Sequence, residues 1–436
     1  MTIMKLHRNT LLEFIILCGM LWQAASAFAE GEISRIGIRD GFFVSLKTGE
    51  VFTPKGVNFC RLRDKAEGML AHSTFDPKVY DSSKVEKMFA DLESHEFNTV
   101  RVFLDPVSKT GSLFESKEAN RLSPAYMSNV YDFLRRAGNH GIYVVVSFSM
   151  WGPNSSWLQR GPAQSPMVSS HNGLYFRSGA ADTRAALLAE VVKAIKKHDS
   201  KLLPVVLAYE PQNELCYFTN AEPLSLKKGR FRYEGATYDL SSDEQIQKLM
   251  DDVSVHWCNT SVKAVQAVDS QALVSMNVFT YKGVGRDGPN GLRTDTTNDK
   301  RVPARPLALA KSRLSYLDIH LYPHGPNDMK QDLKSIEFDA VRKTCRNAGK
   351  PLLMGEFGAF KHSYPSVKLA VDAMIKYVRE AREAGFAGFL YWTYDTDEQP
   401  RIWNAKAEGG IILKALSEIQ YAESTVTPNS LKLKAE

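Results

Sequence analysis

The stretch VVLAYEPQNEL, Val205 to Leu215, decides the fold. Four apolar residues, Val205 to Ala208, follow Pro204 and deliver Glu210, Asn213 and Glu214 in quick succession. A second stretch, PLLMGEFGAF (Pro351 to Phe360), repeats the plan with the single acid Glu356. Short apolar runs bounded by Pro and Gly read as buried strands. Two carboxylates at the ends of two parallel strands are what a two-acid hydrolytic mechanism requires, provided that both strands belong to one barrel.

Working outward, eight such strands can be counted. They are VNF after Gly56, NTVRVFLDP (strand two), GIYVVVSFS (three), LPVVLAYEPQNE (four, carried through to Glu214), ALVSMNVF (five), SYLDIHLYP (six), PLLMGEFGAF (seven) and GFAGFLYWTYD (eight). Between them the apolar residues recur at helical spacing over 82–95, 124–139, 182–198, 243–268, 329–348 and 365–384, with a weaker helix near 306–313. Near-continuous apolar strands alternating with amphipathic helices predict a (β/α)8 TIM barrel in the α/β class. FFVSLKTGEVF, alternating about Thr48-Gly49, predicts an N-terminal β-hairpin. No Gly-rich phosphate turn supports the rival, an open doubly wound sheet. The segments after the strands (150–181, 215–242, 279–305 and 395–410) are long and the segments before them short. The C-terminal face is therefore the expected active-site face. Aromatics in these loops, among them Trp151, Tyr175, Phe176, Tyr217, Phe231, Tyr233 and Tyr238, suit either sugar stacking or packing of the loops.

The chain has 436 residues, a length that one α/β barrel can absorb. Its formal charge is +6, but Lys and Arg are interspersed with Asp and Glu, so no basic run marks a nucleic-acid partner. Lys5 and Arg8 precede the apolar Leu11 to Trp22, and Ala27-Phe28-Ala29 offers a small-x-small cleavage site. Residues 1–29 are expected to be a signal peptide, 30–420 one catalytic domain and 421–436 a tail. The product is expected to be a secreted or periplasmic monomer with no membrane span in the mature chain. Cys60, Cys216, Cys258 and Cys345 would remain, an even number that permits disulfides but shows neither CxxC nor metal spacing.

Polar or aromatic groups unwanted in a core stand along these strands: Arg101 on two, Asn213 and Glu214 on four, His320 and Tyr322 on six, Glu356 on seven and Trp392 on eight. Tyr209-Glu210-x-x-Asn213-Glu214, His320-x-Tyr322, Gly355-Glu356-Phe357, Trp392 and Arg101 together resemble the retaining β-glycosidases of glycoside hydrolase clan A. The nearest match is family 5, the cellulase and β-mannanase family. The resemblance runs from about Phe42 to Ala415. It departs from the family at strand three, where Ser147 and Ser149 stand in place of a usual histidine, and at Leu215, where Pro is frequent.

The resemblance implies hydrolysis of a β-glucan or β-mannan type polysaccharide or oligosaccharide without cofactor or metal. Glu214 would be the acid/base and Glu356 the nucleophile, held ionised by Arg101 and Tyr322. Asn213 would meet the sugar 2-hydroxyl, His320 would sit beside the acid/base, Trp392 would floor the subsite, and Trp151 would add a substrate contact. Glu210, Asp105 and Asp318 read as structural acids, Glu210 lying about 13 Å deeper than Glu214 on an extended strand. Transglycosylation and non-catalytic glycan binding on the same scaffold are the alternatives. A metal-dependent hydrolase would need several His and Asp ligands. Only His320 and Asp318 offer themselves, and strand alternation is read as pointing them apart.

Overall fold

The structure is a computed structural model describing residues 33–64, 70–105, 113–115, 121–149, 168, 171–281, 300–323, 329, 333 and 337–419. Eight strands form one parallel sheet: β1 Lys55–Asn58, β2 Thr99–Leu104, β3 Tyr143–Phe148, β4 Val206–Glu210, β5 Asn277–Phe279, β6 Leu317–His320, β7 Leu352–Phe357 and β8 Phe386–Tyr391. Hydrogen bonds join them in the order β5-β6-β7-β8-β1-β2-β3-β4. A parallel bridge between Tyr209 and Val274 connects β4 to the residues leading into β5 and closes the ring. This is the expected (β/α)8 barrel, in the expected strand order.

Helices α1 Ser82–Ser94, α2 Pro124–Asn139, α3 Ala180–His198, α4 Asp243–Gln266, α5 Pro306–Ala310, α6 Phe338–Asn347, α7 Val367–Glu383 and α8 Ala407–Ser417 alternate with the strands. The helix α1 buries Val85, Met88, Phe89 and Leu92, the face that its periodicity selects. Asp81, Ser123, Ser242 and Ser366 cap α1, α2, α4 and α7 by accepting from backbone N–H groups of the first turn, each worth about 1 kcal/mol. The helix α8 escaped the sequence reading because its first turn passes through left-handed Glu408, Gly409 and Gly410, which break the periodic pattern.

Two other expectations are corrected, and the alternative left open for the loop aromatics is decided. The N-terminal hairpin pairs Ile36–Arg39 with Phe42–Ser45 around Asp40-Gly41, both at positive φ, and Thr48-Gly49 makes only the next turn, leading to a single Val44–Val51 bridge. An Asp-Gly dipeptide between alternating residues is the stronger hairpin signal. Strand four ends at Glu210, and residues 211–214 bend instead of extending. The loop aromatics Tyr175, Phe176, Tyr217, Phe231, Tyr233 and Tyr238 are all buried, so they pack the loops onto one another. The four cysteines are free and buried. No helix among the described residues is long and apolar enough to cross a membrane.

Strand register sets the site. Asn58 pairs with Arg101, Ser147 with Glu210, and Asn277 with Asp318, which places polar residues of six strands in register with their neighbours. Between β6 and β7 the register shifts, so that Asp318 pairs with Leu353 but His320 with Glu356. Such an irregularity re-aims side chains, and here it brings a histidine opposite an acid. The close approach of β1 to β2 requires Gly56, where a Cβ would stand 1.8 Å from the Thr99 carbonyl oxygen. Gly56→Ala should destabilise the fold by about 3 kcal/mol, seen as a lowered thermal midpoint. A midpoint equal to wild type would refute this packing.

Candidate active site

Arg101 projects from the middle of β2 into the barrel and is wholly buried. Its five N–H groups find five acceptors: Nε donates to Glu210 Oε2 at 2.8 Å, Nη1 to Asn58 Oδ1 at 3.0 Å and Glu356 Oε1 at 2.6 Å, and Nη2 to Ser147 Oγ at 3.1 Å and Asn213 Oδ1 at 2.7 Å. One guanidinium thus ties strands one, two, three and seven to both ends of the Glu210–Asn213 bend. Because Glu210 and Asn213 share it, the 13 Å extended spacing is wrong. The bend brings Asn213 back over Glu210.

Glu356 is 3% exposed and accepts on both oxygens, Oε1 from Arg101 and Oε2 from the Tyr322 hydroxyl at 2.6 Å. Glu214 is more open, at 17% side-chain exposure, and its Oε1 lies 3.0 Å from His320 Nδ1. Its backbone is held at φ +51°, a left-handed conformation disfavoured for a residue with a Cβ. Asn277 of β5 secures that conformation: its Oδ1 accepts from the Glu214 N–H at 2.5 Å, its carbonyl from Leu215 N–H, and its Nδ2 donates to Glu210. One oxygen each of Glu214 and Glu356 and a nitrogen of His320 lie within 4.8 Å of one another.

The structure therefore gathers Arg101, Asn213, Glu214, His320, Tyr322 and Glu356 at one rim. Trp392 joins them from the end of β8, packed on Cys60, Leu62 and Phe103, with Tyr322 against the same cluster, and its Nε1 donates to Gln399. Trp151 lies outside the described residues. Two positioning residues were missed, Asn58 and Asn277, and Ser147 was noted only as a departure from the family pattern, without its bond to Arg101. Each is a lone polar residue in an apolar strand run, and that is the signal that could have found them. Asp318, two residues before His320, faces the same side of β6, with His320 Nε2 3.9 Å from its Oδ1, so the expectation that the two point apart was mistaken.

Burial raises both acids of the pair. On Glu214 the hydrogen bond and charge of His320, with Arg301 and Arg101 behind them, outweigh burial and set its pKa below the ordinary carboxylate value. On Glu356 burial prevails, with the Glu214 charge adding to it against the pull of His320, Arg101 and Tyr322, and its pKa is raised. Two acids this close titrate as one system and hold a proton in common. Donor geometry decides where that proton rests. Both Glu356 oxygens are taken by groups that only donate in this arrangement, so a proton there would displace one of them. A proton on Glu214 can instead bond to His320 Nδ1 when the ring carries its hydrogen on Nε2. Hydrogen-bond geometry thus favours a proton on Glu214 over one on Glu356, against the directions that burial and His320 set. The same spacing could admit a metal ion, but Arg101 already places a fixed positive charge on Glu356, and the donor set fits proton transfer better than metal ligation.

Paired acids at the carboxyl rim of such a barrel belong to the chemistry of glycoside hydrolases. Residues 60–398 match the cellulase (glycosyl hydrolase family 5) family, and the chain belongs to it. The endo-1,4-β-mannanase of Rhizomucor miehei shares the fold with a TM-score of 0.53 at 14% identity, over 83% of this chain and 90% of that one. The β-mannanase of the blue mussel Mytilus edulis gives 0.52 at 17% identity, over 90% and 98%. A broad-specificity endoglucanase from an uncultured bacterium gives 0.50 at 13% identity, over 84% and 93%. At these identities the likeness is one of fold. No curated protein sequence matches the chain.

Tyr322→Phe removes one donor from the Glu356 carboxylate, which disfavours its charged form. The acid limb of the kcat/KM profile should move to higher pH and kcat should fall about 10²-fold. A limb that stays in place or moves down would contradict the role given to Tyr322.

Proposed function

We propose that the chain is an exported, retaining β-glycoside hydrolase acting on a β-mannan or β-glucan type polysaccharide or its oligosaccharides. Glu356 serves as nucleophile and Glu214 as acid/base. The observation that carries the reading is the 4.8 Å limit on the separation of the Glu214 and Glu356 oxygens. Retaining glycosidases place their carboxyls about 5–5.5 Å apart, whereas inverting ones need about 6.5–9.5 Å to seat a water between them. Support for the substrate class comes from the fold partners named mannanases and endoglucanase.

In the first step Glu356 attacks the anomeric carbon while Glu214 gives its proton to the departing glycosidic oxygen. Asn213 turns its Oδ1 to Arg101, which leaves its Nδ2 free to donate to the sugar 2-hydroxyl. Forming the glycosyl ester removes the negative charge of Glu356, and with it the repulsion that favoured a proton on Glu214. Glu214 is then a carboxylate able to take a proton from water, which attacks the ester and releases the sugar with its original configuration. Residues 1–29 would direct the enzyme out of the cytoplasm. The buried Cys60 beside Trp392 takes no part, since burial pushes its thiol up to about 12.

Glu356→Gln should lower kcat by more than about 10⁴-fold on every substrate. Glu214→Gln should cost about 10²–10⁴-fold on polysaccharide, yet on an aryl glycoside with a good leaving group it should still release a burst of phenol and be accelerated by azide. Full activity of Glu356→Gln would remove the nucleophile. For the reaction itself, NMR of fresh hydrolysate should show β-configured product from a panel of mannans and glucans, and an α product would exclude the double displacement.

A further inference from the structure

Glu210 and Asp318 lie beneath the acid pair, both fully buried. Glu210 Oε2 accepts from Arg101 Nε and from Asn277 Nδ2, each at 2.8 Å, and Asp318 Oδ1 accepts from the Gly355 N–H at 2.8 Å. Their other oxygens, Glu210 Oε1 and Asp318 Oδ2, have no partner among the described residues when both groups are written as carboxylates. Yet the two side chains lie within hydrogen-bonding reach of each other. Two facing acceptors cannot bond without a hydrogen, and two unpaired buried anions would repel. We propose that Asp318 is a neutral carboxylic acid that donates its proton to Glu210, and so acts as a positioning residue for Arg101 and, through Arg101, for Glu356. The inference rests on the reading of Glu214 and Glu356 as the acid pair.

The charge balance points the same way. Four carboxyls, Glu210, Glu214, Asp318 and Glu356, surround one fixed cation, Arg101. Fully ionised, they would leave three uncompensated negative charges in a low-dielectric interior. One proton on each facing pair leaves one. Of the lower pair, Glu210 is the member built to be an anion, because it holds the guanidinium and an amide N–H, whereas Asp318 has one backbone N–H. Burial pushes Asp318 well above the ordinary carboxylate range, and the Glu210 charge adds to that. Burial also raises Glu210, but the Arg101 charge together with the hydrogen bonds from Asp318 and Arg101 outweighs it and holds Glu210 below that range.

The groups facing Asp318 are Arg101 on β2, Glu210 on β4, Tyr316 just before β6, His320 on β6 and Glu356 beyond the Gly355 amide on β7. Burial keeps the Tyr316 phenol protonated. Gly355 makes the arrangement feasible, because a Cβ there would fall 2.1 Å and 2.2 Å from the two Asp318 oxygens. A neutral Asp318 draws no share of the Arg101 charge away from Glu356, and it does not pull the His320 ring from Glu214.

Asp318→Asn retains both an N–H donor toward Glu210 and an oxygen for Gly355. Its kcat should fall no more than about fivefold with both limbs of the pH profile in place, whereas Asp318→Ala, with neither group, should lose about 10²-fold. In infrared spectra at neutral pH the wild-type enzyme should show the carbonyl stretch of a buried carboxylic acid that Asp318→Asn lacks. Glu214→Gln, from which the other shared proton is gone, should retain it. An acid limb displaced to lower pH in Asp318→Asn would signal loss of a negative charge and overturn the proposal. A band unchanged in Asp318→Asn, or absent from Glu214→Gln, would do the same. Should Asp318→Asn fail to fold, the Glu214→Gln spectrum decides alone. That spectrum does not depend on turnover, so its failure and a failure of the catalytic assignment can be told apart.

Discussion

A guanidinium with no access to water sits inside this barrel, and the rest of the site is arranged to make that tolerable. Removing such a charge from solvent costs several kcal/mol, and the loss is offset only when every N–H is bonded and opposite charge is close. Arg101 meets both conditions, with five acceptors on its five N–H groups and the carboxylates of Glu210 and Glu356 at 2.8 Å and 2.6 Å. Because those acceptors come from strands one, three and seven and from the bend after strand four, the barrel cannot close with the charge satisfied unless the strands are in this register. The ion pair therefore specifies geometry more than it adds stability, and what it specifies is the position of Glu356.

Glu214 is placed by different means. Among the described residues no arginine or lysine hydrogen-bonds its carboxyl, which meets His320 instead. It is set by its own backbone, forced to φ +51° where the chain bends back after Glu210, and by Asn277, which fastens that bend from the next strand. Left-handed backbone at a residue with a Cβ persists only where the surroundings over-determine it. Here the Asn277 side chain and carbonyl and the Phe148 carbonyl supply three fixed hydrogen bonds to three successive amides, Asn213, Glu214 and Leu215. One acid is thus locked by charge and the other by backbone. The difference suits the proposed roles, in which the first remains an anion and the second exchanges a proton without moving.

The barrel was legible because parallel strands buried on both faces leave near-continuous apolar runs, and each of the eight was found. The candidate acids were legible for the opposite reason: an acid at the end of such a run needs a partner or a cleft. What the strand pattern could not show was the bend. Pro211 ended the ladder at Glu210, while a period-two reading carried on to Glu214 and stretched a distance that the chain in fact folds back upon. Asn58 and Asn277 were overlooked, and the bond made by Ser147 with them, because a single amide or hydroxyl in a strand is common and its bond crosses to another strand, a tertiary fact. The loop aromatics were left open between stacking on a sugar and packing. Composition placed them on the correct face, but only packing could show that they bury one another.

Ser147, on strand three, answers to the same constraint. A histidine at that rim would add a titratable group beside Arg101, whose Nη2 is fully occupied by Ser147 Oγ and Asn213 Oδ1. A hydroxyl can accept that N–H without any charge of its own, so it completes the guanidinium shell while leaving the balance between one cation and four carboxyls undisturbed. Ser147 also pairs in register with Glu210, so the neutral acceptor and the anion that share the guanidinium arrive together on adjacent strands. Serines at the end of strand three are thus compatible with an intact acid pair: Ser147 lies on the Arg101 side of the site, where the requirement is an acceptor, and Ser149 turns to Asp105, while Glu214 and His320 keep each other as partners.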